Sequence, residues 1–176
     1  MALTNSRRSW RIWMTCLVAD TGPLIALAHL QRLDLPGQVL GQLLVPETVY
    51  LEATFLPLKP GALAIRAARD NGWLEIVADQ TLSDAPIPSL LGEGERQAMA
   101  LALSISAPLL MDDAQARRVA RRLGLAVAGT CGLLLKAKQH GAVPALAPLL
   151  ATLDKAGYFI APALRDTVLK KAGEQS

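Results

Sequence analysis

Five acidic residues stand where packing gives little reason for an acid. In CLVADTGPLIALA, residues 16–28, an apolar run reaches Asp20 and passes through Thr-Gly-Pro into a second apolar run. Asp112 and Asp113 end the apolar run PLLM, and adjacent carboxylates repel unless a cation, a capping role or water relieves one of them. In GEGERQAMALALSI, Glu95 precedes Ala98, Met99 and Ala102 at helical spacing and heads the apolar stripe, whereas Glu93 is turned about 200° away. Glu52 repeats the pattern, sharing a face with Val49, Ala53 and Leu56. If these acids converge, their mutual repulsion raises their pKa values unless a divalent cation neutralises them. Oxygen-only ligands select Mg²⁺ or Mn²⁺ over zinc. Such a centre would bind a phosphodiester oxygen, polarise phosphorus and lower the pKa of a bound water for in-line attack, which is hydrolysis of a nucleic-acid backbone.

Each acid also has a plainer reading. Asp20 precedes Pro23, a residue favoured in the first turn of a helix, so it could be an N-cap, although Thr21 or Gly22 would serve as well. The two readings weigh evenly. One of Asp112 and Asp113 can cap the helix AQARRVARRLG, but both cannot. Glu95 could meet the helix dipole with its carboxylate in solvent. On the helix after Asp113, Arg117, Arg118, Arg121 and Arg122 lie opposite Ala116, Val119, Ala120 and Leu123, and Lys136 and Lys138 follow. An ordinary solvated face accounts for these charges about as well as contact with a nucleic acid does. Arg117, a turn from the acids and suited to a phosphate, is the exception. No run of exposed aromatics suggests base stacking, so sequence-specific reading of RNA is not visible.

These groups need a scaffold. The 176 residues are 52% hydrophobic with 4% aromatic, a composition for helices of Leu, Ala, Val and Ile packed on a sheet in one domain. Short apolar runs alternate with segments of helical period, the pattern of an α/β fold with a mostly parallel sheet. Strands are predicted at 15–19, 74–78, 108–111 and 125–128, with a weaker one at 158–160. Helices are predicted at 23–32, 46–56, 61–71, 93–106, 112–123, 131–139, 144–156 and 162–172. Ligands gather beyond the carboxyl ends of strands in such sheets, and Asp20, Asp112, Asp113 and Thr130 all fall there.

The net charge of +3 is not spread over the domain. Arg7, Arg8 and Arg11 lie in the first 13 residues, and taking these three from the 18 basic residues leaves 15 against 15 acidic ones. Residues 1–13 read as a flexible basic extension with Met14 as a possible true start, followed by a single domain over 14–176. A secretory signal fits poorly, because Asp20 cuts the apolar stretch and no cleavage pattern follows. Asp20, Gly22 and Pro23 also argue against a membrane span. Cys16 and Cys131 are far apart, and with His29 and His140 isolated there is no disulfide framework or zinc spacing, which fits a reducing cytoplasm.

Taken in order, VADTGPLIALA, VPETVYLEA, GEGERQAMALALS, LLMDDAQARRVARRLGL and VAGTCGLLLKAKQHG resemble PIN-like proteins related to the VapC-type toxin ribonucleases, most closely a bacterial and archaeal PIN-like branch. The resemblance runs from about residue 15 to the terminal AGE. It implies a three-layer α/β/α sandwich with a mostly parallel central sheet of four to five strands. It also implies a Mg²⁺- or Mn²⁺-dependent endoribonuclease, the toxin of a type II toxin–antitoxin pair. RNA and a cognate antitoxin would be its partners, and it would be a homodimer. By the resemblance the catalytic acids are Asp20, Glu52, Glu95, Asp112 and Asp113, with Asp20, Glu95, Asp112 and Asp113 as metal ligands. Thr130 matches the family's Gly-Thr, and Thr21, Arg117 and Thr130 are the expected substrate contacts. Gln97 stands where relatives often carry an acid, and no carboxylate follows the fourth predicted strand. The alternative is therefore a catalytically weak or inactive PIN-like module that binds RNA or protein. A receiver-type phosphoacceptor domain ranks last, because the acidic pair it needs near the first strand is missing. Neither G-x-G-x-x-G nor a P-loop is present.

Overall fold

The computed structural model describes residues 15–83 and 85–174. The basic extension and Met14 lie outside the described residues. In chain order the elements are β1 (Cys16–Ala19), α1 (Thr21–His29), α2 (Leu35–Val39), β2 (Gln42–Pro46), α3 (Glu47–Thr54), α4 (Pro60–Asp70) and β3 (Leu74–Val77). They continue with α5 (Glu93–Ile105), β4 (Leu109–Leu110), α6 (Ala114–Arg122), β5 (Val127–Ala128), α7 (Thr130–Gln139), α8 (Ala147–Lys155) and α9 (Pro162–Ala172).

The strands form a parallel sheet in the order β3-β2-β1-β4-β5. The chain builds outward from β1 through β2 to β3, then returns to the other side of β1 to lay down β4 and β5. The order therefore reverses between β1 and β4, and the crevice beyond their carboxyl ends is the switch point where open α/β sheets place their chemistry. Register makes the placement concrete. Ala19 pairs with Leu110, and the Asp20 N–H donates to the Leu110 carbonyl at 3.0 Å. Asp20 and Asp112 thus emerge on neighbouring strands at the same edge. Helices cover both faces, completing the α/β/α sandwich; α5 packs on β1, β2 and β4.

Buried strands of a parallel sheet read as continuous apolar runs, and β1 obeys, with Leu17, Val18 and Ala19 fully enclosed. Each fully buried Leu or Val here contributes about 2 kcal/mol of transfer free energy. Two elements were not legible in the sequence. β2, QLLVP, is fused to the helix that follows it, and its five residues leave no gap for a turn signal; pairing with β1 and β3 is what makes it a strand. The five-residue α2 is too short to show a helical period. Conversely, the strand predicted at 158–160 is absent. That segment follows Gly157, whose φ of +80° ends α8, and it pairs with no strand. Ile160 instead anchors a second core.

That second core explains why α1 and α7 are apolar on more than one side. Leu24 and Leu27 of α1 and Leu133 of α7 face the sheet core. Ala26, Leu30, Leu134 and Ala137 face Leu146, Leu150 and Leu153 of α8 and its approach. Helices with apolar residues all round are interior elements, and these two are sandwiched between the sheet and the C-terminal helices. Glu174 closes the arrangement. Its carboxylate accepts the backbone N–H groups of Leu146 and Ala147 at 2.7 and 2.8 Å and pairs with Lys138 at 2.8 Å. The Lys138 ammonium is the main cause holding the Glu174 pKa down to about 2. Among the described residues no helix is long and apolar enough to cross a membrane.

Candidate active site at the strand ends

Asp20 occupies the N-cap position of α1 in extended geometry, yet its side chain makes no capping hydrogen bond. The residue is 6% exposed. Burial raises its pKa from 3.8 to about 7; the Thr21 N–H opposes the shift, and the charges of Glu95, Glu52 and Asp112 add to it. Three of the four other predicted acids therefore stand near enough to act on Asp20.

Glu52 reaches the site from the last turn of α3. It accepts the Thr21 hydroxyl at 2.8 Å and the Gly94 N–H at 3.1 Å, so it links the start of α1 to the positive end of the α5 dipole. A side chain at Gly94 would collide with the Glu52 carboxylate, which gives the glycine its reason. Glu95, half-buried as its place at the head of the apolar stripe requires, accepts the Gly92 N–H at 3.0 Å, the half of a capping box that a glycine N-cap allows. Glu93 is exposed and pairs with Arg96.

Asp112 is held differently. Its Oδ1 accepts the Thr130 N–H at 2.8 Å, and its Oδ2 accepts the Thr130 hydroxyl at 2.6 Å and the Tyr158 hydroxyl. Burial and the Asp112 charge push the Tyr158 pKa upward, so Tyr158 stays a donor. A Cβ at Gly129 would sit 2.9 Å from Asp112 Oδ1, so only a glycine there leaves that carboxylate undisplaced. Asp113 stands apart from this group. Exposed, it accepts the Ala116 N–H at 2.7 Å as the N-cap of α6. The pair thus divides its work, with one acid capping and the other turned to the strand ends.

Arg117 is half-buried while Arg118, Arg121 and Arg122 are exposed, which separates it from the solvated face. Its Nε is buried without a hydrogen-bond partner. Lys138 is engaged with Glu174 and the Pro144 carbonyl. Gln97, read as a replaced acid, is buried. Its Oε1 accepts the Gln80 N–H at 2.7 Å and its Nε2 donates to the Gln80 carbonyl at 3.1 Å. A carboxylate could accept the first bond but not donate the second, so the amide clasps the segment after β3 in a way an acid could not.

Sequence reasoning did not single out Tyr158, Gly94 or Gly129. The two glycines carried a weak signal, lying one or two residues from motif acids or Thr130. Tyr158 carried none, being 46 positions from the acid it touches.

Among the described residues no group of three or more His, Cys, Asp and Glu side chains is gathered closely enough to hold a metal ion. The donors are all carboxylate oxygens, the chemistry that a hard divalent cation takes, and the charges of Glu95, Glu52 and Asp112 all act on the buried Asp20.

Residues 16–174 match the model of the PIN domain family DUF3368. Among solved structures the chain is similar to a PilT N-terminus domain protein from the hyperthermophilic archaeon Sulfolobus solfataricus P2. The two share 16% identity and a TM-score of 0.50, over 68% of this chain and 91% of that one. At that identity the likeness is one of fold. No curated protein matches the chain.

Proposed function

The chain belongs to the PIN domain family, whose members are generally nucleases, and from that premise we propose that it is a Mg²⁺- or Mn²⁺-dependent endoribonuclease. In this reading it hydrolyses RNA phosphodiester bonds as the toxin of a type II toxin–antitoxin pair. It acts in the cytoplasm as a homodimer, with residues 14–176 as one domain and a cognate antitoxin as its protein partner. The observation that carries the reading is Asp20, a carboxylate buried at the β1/β4 switch point, left without a capping bond and pushed toward neutrality by burial and by three further acids.

Asp20, Glu95 and Asp112 would hold the cation, with Glu52 completing the negative field and Asp113 at the margin. When bound, a divalent cation offsets the repulsion among these acids and polarises a phosphodiester. The chain's own part is positional. Thr130 and Tyr158 fix the Asp112 carboxylate, the α5 N-terminus fixes Glu52 and Glu95, and the hydroxyl of Thr21, the residue after Asp20, holds Glu52. Arg117 supplies a cation beside Asp112 for a phosphate of the substrate.

The alternative, a PIN-like module with little chemistry of its own, draws on one observation. Asp112 already accepts three protein hydrogen bonds, and the place after β5 holds Gly129 and Thr130 where a further acid would otherwise strengthen metal binding. The deciding experiment is cleavage of single-stranded RNA by purified protein with Mg²⁺ or Mn²⁺. The nuclease reading expects metal-dependent cleavage that falls by about two to three orders of magnitude in Asp20→Asn, the scale for losing one charge-stabilising group. Cleavage unchanged by that substitution would rule the reading out.

A further inference from the structure

Beside Asp112 lies a cavity of about 560 Å³, bounded by β5 and the start of α7 on one side and by the 157–161 connection and α9 on the other. Its volume falls in the range of small-ligand sites. Asp112 and Arg117 border it at the catalytic end, and Lys171 of α9 stands among its lining residues. The walls are apolar, including Val127, Leu135 and Ile160. Phe159 also lines it, yet is 84% exposed, so its ring gains almost nothing from burial in the free protein.

A ligand that satisfies these groups together has a flat apolar body for Phe159 and the walls, and an anionic group for the cations. Arg117 lines the cavity next to Asp112, which sets the anionic end of that ligand there. We propose that the cavity is a nucleobase subsite. It would take the base of the nucleotide next to the cleaved bond in single-stranded RNA, stacking it on Phe159 while Arg117 meets a phosphate. Aromatic stacking of this kind tolerates every base, since each has a π-face. The inference rests on the ribonuclease reading for its choice of ligand.

The test uses the full chain carrying Asp20→Asn, so that RNA is not cut, and follows binding of fluorescein-labelled RNA decamers by anisotropy. Phe159→Ala in that background is expected to weaken binding about tenfold, within the range for one base–aromatic stack. A decamer carrying one abasic nucleotide, scanned along its length, is expected to weaken binding to the parent similarly at one position and to leave the Phe159→Ala protein indifferent there. Because Phe159 is exposed, its loss does not threaten the fold. If wild-type protein cleaves RNA while Phe159→Ala binds as tightly as the parent, the subsite is overturned and the nuclease reading stands. If wild-type protein fails to cleave but RNA binding depends on Phe159 and on one base, the subsite stands and the nuclease reading falls. Absence of RNA binding by the parent overturns both.

Discussion

The ends of β1 and β4 each deliver one aspartate to the same crevice, and the protein treats the two in opposite ways. Asp20 is enclosed with no capping bond and is held near pH 7 for its proton. Asp112 is given a backbone N–H and two hydroxyls. A carboxylate with its hydrogen bonds met is a structural asset, whereas one buried with only the Thr21 N–H to offset its desolvation is a standing cost. The contrast assigns different work to two residues of the same type. Asp112 is a fixed point to which the C-terminal region is tied through Tyr158, and Asp20 is a carboxylate whose charged form burial disfavours.

Replacing each acid by its amide should separate them by sign. In metal-free protein at pH 8, Asp20→Asn is expected to be stabilising by at most about 4 kcal/mol, from about 1.4 kcal/mol per pKa unit between 3.8 and about 7. Asp112→Asn is expected to be destabilising by about 2 kcal/mol, because an amide cannot accept from all three donors. The pH dependence follows from the raised pKa. Between about pH 4 and pH 7 native Asp20 retains a proton that the unfolded chain has released, so the native state binds more protons and its stability falls as pH rises. Above about 7 this contribution levels off. The gap between Asp20→Asn and wild type in urea unfolding should therefore be near zero at pH 4 and open fully by pH 8. A gap that is constant across that range would remove the buried-charge account.

The Asp112 side of the contrast can be sharpened with a smaller change. Tyr158→Phe removes one of three donors and leaves the ring, so a loss of about 1 kcal/mol is expected by chemical denaturation. Stability equal to wild type would show that the Tyr158 bond does not hold Asp112.

The sequence carried the acids better than it carried their surroundings. Asp20 could be singled out because an apolar strand and an apolar helix leave a lone carboxylate conspicuous at their join. Glu95 could be placed because helical period tells the sheet face from the solvent face. The division between Asp112 and Asp113 was half legible, since two neighbours cannot both cap α6. Which one caps depends on backbone geometry that spacing does not encode. β2 was hidden because a five-residue apolar run has no period of its own, and only pairing with β1 and β3 declares it a strand. Tyr158, the clasp of Gln97 on Gln80, and the room made by Gly94 and Gly129 arise from contacts between distant segments. Such contacts leave no local trace.

In the proposed reading, Asp20 is the acid around which a divalent cation binds. That role is tested most directly by titrating metal-free protein at pH 7.5 with Mn²⁺ and reading free Mn²⁺ by electron paramagnetic resonance. Wild type should take up Mn²⁺ with an affinity that Asp20→Asn lowers by at least about tenfold to a hundredfold, the minimum expected when even an outer partner of a metal is lost. Equal Mn²⁺ uptake by the two proteins would contradict the account.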